Sequence, residues 1–149
     1  MKGIVVLGLT LLSFVSLAQS STDDILRRAE VMPVFQQCEE ERFVDAPYPC
    51  TMKQLSDFFR EVIVVENPMG MQTKCVLSLV VEKDGSVSNV QLQRGVIVKA
   101  DNPEDTEALA ASLDAVILEK AQNLSFILPG YQNGEKARVM LQFSASVNY

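Results

Sequence analysis

The residues best suited to covalent chemistry in this chain are three cysteines: Cys38, Cys50 and Cys75. A thiol does nucleophilic or redox work when a base or a second thiol activates it. The chain has 0 His and no Cys-x-x-Cys spacing, so neither device is present. The same lack of His excludes a Ser-His-Asp triad and a His-ligated metal. Cys38 and Cys50 sit in one irregular, Pro-interrupted segment, whereas Cys75 sits in a strand pattern. In oxidising surroundings this predicts a Cys38–Cys50 disulfide, worth about 2–3 kcal/mol by loop closure, with Cys75 a small buried hydrophobe. Glu39-Glu40-Glu41 reads as a solvated charge run rather than a metal site. The remaining carboxylates fall in turns or on solvent faces, and no Gly-rich phosphate loop occurs. No catalytic, cofactor-binding or metal-ligating residues are therefore expected, and the chain is not expected to be an enzyme.

Composition narrows the partners. The 149 residues carry 13 Lys+Arg against 19 Asp+Glu, a formal net charge of −6. That balance disfavours nucleic acid phosphates and anionic membrane surfaces, while 48% hydrophobic residues suffice for a core. Some of that apolar content belongs to an address. Lys2 precedes an uncharged run from Ile4 to Ala18, and Ser16-Leu17-Ala18 has the small residues of a cleavage site. Such a run spans about 22 Å, short of the roughly 30 Å hydrocarbon core. Residues 1–18 are expected to be a signal peptide cut after Ala18, with Ser20 the second choice. No stable membrane insertion is expected after cleavage. The mature chain is then more acidic still and begins with a polar tail, 19–29, ahead of a domain at 30–149.

These residues must be positioned by a few elements. Thr51-Met52-Lys53-Gln54 fits a capping box, and Met52, Leu55, Phe58, Phe59, Val62 and Ile63 follow at helical spacing. Asn67-Pro68-Met69-Gly70 ends that helix. Thr73, Cys75, Leu77, Leu79 and Val81 alternate with outward residues, and Asp84-Gly85 turns the chain into a second strand over Val87–Val98. Gly95 suggests a bulge or strand end. After a polar, acidic connection at 100–107, where Asn102 and Pro103 could start a helix, Leu109, Leu113, Val116, Ile117 and Ala121 mark a second apolar stripe. A turn-rich loop at 129–134 leads into a last alternating run over 137–147. The expected fold is α+β: a small three-stranded antiparallel sheet with two helices packed on one face, preceded by a disulfide-stapled irregular segment.

In that order, the motifs resemble the C-terminal domain of the energy-transducing TonB family. The resemblance rests on Glu30-Val31-Met32-Pro33-Val34-Phe35, the helix Leu55–Phe59, and Val80-Val81-Glu82-Lys83-Asp84-Gly85-Ser86-Val87. It continues through Val90 to Arg94-Gly95-Val96, then Pro129-Gly130, Gln132-Asn133-Gly134-Glu135 and Val139–Val147. It covers about residues 30–149, and the Cys38/Cys50 pair is similar to a Bacteroidota-type subgroup. Family members that transduce energy also have an uncleaved membrane helix and a long Pro-rich spacer. Here about eleven residues separate Ala18 from Glu30, at most about 40 Å of extended chain, which marks a stand-alone exported form.

The resemblance implies a non-catalytic periplasmic binding module, with an extracellular location as second choice. It implies docking on an extended peptide, such as the N-terminal segment of a TonB-dependent outer-membrane transporter, by strand addition. The expected edge is Ala137–Val147, with Arg138, Met140, Gln142 and Ser144 tuning specificity. The alternative is a structural envelope protein that self-associates, as a homodimer, through the same edge.

Overall fold

The computed structural model describes residues 24–38, 47–67, 69–99 and 103–148. The expected signal peptide, the Glu39-Glu40-Glu41 run and Asn102 lie outside them. The elements in chain order are β1 (Ile25–Leu26), β2 (Val34–Phe35), a short 3-10 turn (Gln36–Cys38), α1 (Pro47–Glu66), β3 (Gln72–Val81), β4 (Val87–Lys99), α2 (Pro103–Gln122), β5 (Phe126–Leu128), β6 (Gly130–Gln132) and β7 (Glu135–Val147).

Period-two alternation decides the central layer. Cys75, Leu77, Leu79 and Val81 of β3 and Val139, Leu141, Phe143, Ala145 and Val147 of β7 all point into one core. There they meet Leu55, Phe59 and Ile63 of α1 and Leu113, Ile117 and Ala121 of α2. Both amphipathic stripes are thus buried against the same side of the sheet, which gives the expected α+β class with two helices. Phe59 lies against Phe143 at 5.5 Å between ring centroids, so α1 is anchored to β7.

The sheet corrects the three-stranded, all-antiparallel expectation. Its order is β1-β7-β3-β4, with β6 also paired to β7, and β1 runs parallel to β7. β2 and β5 form a separate antiparallel pair. The described part of the segment expected as a polar tail, 24–29, contains a strand: its apolar pair Ile25–Leu26 aligns with Arg138 and Val139, and Ala29 is buried. The loop expected at 129–134 contains β6, which folds back on β7 through Asn133 (φ 53°) and Gly134 (φ 76°). Two consecutive left-handed residues make the turn that matches strand twist. Strands of two or three residues carry no measurable alternation, which is why the pattern hid them.

Local chemistry shapes the ends of the long elements. α1 starts at Pro47, so Thr51 lies one turn inside the helix and is not its N-cap. Its buried hydroxyl instead accepts the Phe35 N–H at 3.1 Å and donates to the Pro33 carbonyl at 3.3 Å, pinning β2 to α1. Asn67 closes the helix as expected, holding both the N–H and the carbonyl of Met71. The β3–β4 turn uses Gly85 at φ 85°, where an added Cβ would also stand 2.4 Å from the Phe126 carbonyl oxygen. Cys38 and Cys50 form the expected disulfide, with Cα atoms 5.8 Å apart, joining the 3-10 turn to the first turn of α1. Cys75 is free and buried. Burial pushes its thiol pKa up, and the Asp114 carboxylate adds to this.

Candidate functional site

The last strand, β7, has unequal sides. Toward β3 it pairs in unbroken register, from Val81↔Val139 to Thr73↔Val147. On the other side β6 covers 135–137 and β1 covers 138–139. Beyond Val139 no described strand lies along that side, so among the described residues Met140 to Val147 form an open edge. Eight extended residues span about 26 Å. The core-facing residues of this stretch fix its register, since a slip by one position would expose Leu141 and Phe143.

The structure separates the four expected edge residues. Met140, Gln142 and Ser144 lie along the open stretch, on the sheet face away from the helices, and none is buried. Arg138 lies where β1 already pairs. Its guanidinium makes a two-pronged ion pair with Glu82, Nε to Oε2 at 2.7 Å and a second nitrogen to Oε1 at 2.9 Å. The fork of Arg matches a carboxylate in this way. Arg138 beside Glu82 holds that carboxyl below its ordinary pKa; partial burial opposes the shift, and the Ser88 hydroxyl, which donates to Glu82, reinforces it. Arg138 therefore braces the start of β7, and the part of the expected edge at 137–139 is already occupied.

The other edge strand, β4, is built differently. Its 13 residues accompany ten of β3, and the pairing shifts register three times. Each shift is a bulge that bends and twists the strand. Asn89 takes a left-handed φ of 46° within this irregular stretch. At the bulge opposite Cys75, the Val96 N–H donates to Asp114 Oδ1 of α2 at 2.7 Å. The bulge suspected at Gly95 is present, and a Cβ there would lie 2.8 Å from Asp114 Oδ2.

Sequence reasoning did not anticipate Asp114 or Glu30. Asp114 occurs on α2 between the core residues Leu113 and Ile117, so an acid beside an apolar stripe was the available signal. Glu30 accepts the Asn133 N–H at 3.0 Å and the Gln132 amide at 3.3 Å, while Val31 bridges to Tyr131. Residues of Glu30–Phe35 and of Gln132–Glu135 thus brace each other at the opposite end of β7 from its open edge. Among the described residues no group of three or more His, Cys, Asp or Glu could hold a metal ion. None of the described helices is long and apolar enough to cross a membrane. Comparison of the chain with family models, curated proteins and solved structures finds no match.

Proposed function

We propose that this chain is a non-catalytic binding module that takes an extended segment of a partner protein as an added strand along Met140–Val147. The observation that carries this reading is the regular, unblunted edge of β7. Exposed edges offer unpaired N–H and C=O groups and are ordinarily disabled by bulges, charges or short strands. Strand addition draws its affinity from those same backbone groups. Exposed Val64, Val65 and Met69 follow from α1 toward Gln72, at the end of the sheet where Thr73 meets Val147.

The Cys38–Cys50 bridge fits an oxidising compartment, and we assign the module to the periplasm. On the TonB-like resemblance, the partner segment is the N-terminus of an outer-membrane transporter. The open stretch Met140, Gln142, Ser144 and Ser146 carries no charge. A second copy presents the same uncharged side chains, so a homodimer through this edge is the alternative. Binding titration with extended transporter N-terminal peptides, read by amide hydrogen exchange, tests the reading. Outward amides within Met140–Val147 should exchange quickly in the free chain and slowly in the complex, and Met140→Pro should abolish binding. Protection of those amides without peptide, in a sedimenting dimer, would replace the docking reading with self-association. Binding that leaves their exchange unchanged would defeat both.

A further inference from the structure

The charges of this acidic protein are sorted by layer. α1 and α2 together carry eight carboxylates and three cations. The three long strands carry one carboxylate, Glu135, against Lys74, Arg94, Lys99, Lys136 and Arg138. Strand register puts Lys74 beside Ser146 and Ile97, Val76 between Ser144 and Arg94, and Lys99 beside Gln72. These residues stand on the sheet face that neither helix covers. A shallow trough there is lined by Lys74, Val76, Gln93, Arg94, Gln142 and Ser144. Lys74, Arg94 and Lys99 are exposed, and among the described residues none has an ion-pair or side-chain hydrogen-bond partner. Arg138, by contrast, is matched by Glu82 at the far end of the face.

We propose that this trough docks an acidic polypeptide segment of a partner protein, with its carboxylates over Lys74 and Arg94 and Lys99 at the margin. Charge complementarity selects the partner: an anion is drawn to this cationic sheet face and repelled by the helical layer. A long nucleic acid would carry its phosphates beyond the trough toward that acidic layer, whereas a short run of Asp or Glu would not. The Gln93 side-chain NH2 already donates to Ser78 and Gln91; the Gln93 side-chain oxygen, the Gln142 amide and the Ser144 hydroxyl offer hydrogen bonds suited to peptide groups. The trough lies across β4, β3 and β7, so docking there does not require a strand to be added at the edge.

Fluorescence anisotropy with a labelled oligoglutamate as probe tests this. The unaltered chain should bind at low ionic strength and progressively lose affinity toward about 0.15 M salt. Lys74→Glu with Arg94→Glu should weaken binding at least about tenfold, and Lys74→Gln with Arg94→Gln should weaken it less. Lys53→Glu with Lys120→Glu, the same charge change on the helices, should leave it nearly unchanged. The Gln pair keeps the test valid if charge reversal impairs folding. Absence of oligoglutamate binding at low salt would overturn the proposal, as would equal weakening by the sheet and helix pairs. Tighter binding of an oligothymidylate of equal charge would overturn it in favour of a nucleic acid partner.

Discussion

The two outer edges of the sheet solve the same problem in opposite ways. β4 absorbs three extra residues as bulges and hands the Val96 N–H to Asp114. β7 runs in constant register against β3 and, among the described residues, leaves Met140–Val147 open. A twisted, side-chain-capped strand is a poor template for another strand, while a straight one with unpaired groups is a good one. The difference lies in how each helix meets the edge below it. α2 sends a carboxylate to the backbone of β4, whereas α1 sends an aromatic ring to Phe143 on the core side of β7. The first contact consumes a main-chain donor, and the second stiffens the strand without touching its outer groups.

Substitutions at three positions break or sharpen that contrast. The largest effect is expected from Phe59→Ala, which removes a ring that is 1% exposed and packed on Phe143. It should cost about 3–5 kcal/mol, measured as a lower urea midpoint, and should loosen β7 more than β4 in amide exchange. Equal loosening of both strands would mean that α1 does not hold β7 selectively.

Asp114→Ala comes next. It strands the Val96 N–H at the bulge and should cost about 1–3 kcal/mol, with faster exchange at Val96. Asp114→Asn keeps an acceptor and should recover most of the loss. If both variants lose the same amount, the carboxylate's charge rather than its hydrogen bond maintains the β4 edge.

The smallest effect concerns the brace at the start of β7. Glu82→Gln should cost about 1 kcal/mol at neutral pH. Glu82 has a pKa below its ordinary value of 4.5 when folded, so its contribution is present above that value. The unfolded chain takes up the proton first as pH falls, and the contribution disappears as pH drops through the lowered folded pKa. The unaltered chain and the variant should therefore converge in stability on acidification below 4.5. A constant gap across the titration would assign the brace to packing of the Arg138 stem instead.

Much of this fold was legible because its long elements repeat a period. The helix through Leu55, Phe59 and Ile63, the Gly85 turn and the alternation of β7 follow from hydrophobic spacing and backbone freedom. The disulfide was legible because Cys38 and Cys50 share one segment. The candidate edge was half legible: β7 could be named, but its occupied and open portions could not. Residues 25–26 and 130–132 are too short to show a pattern, yet they decide that the edge opens at Met140. Arg138 looked like an outward residue, and only the placement of Glu82, 56 positions away, makes it a brace.

By itself, the sequence determined which residues face a core, where the chain turns, which cysteines pair and that no histidine chemistry is available. Those properties depend on local spacing, φ preference and residue type. The tertiary structure alone decided strand order, the contrast between a capped and an open edge, and the gathering of Lys74, Arg94 and Lys99 on one face. These depend on contacts between residues far apart in the chain, and no local pattern encodes which surface remains uncovered once the helices have packed.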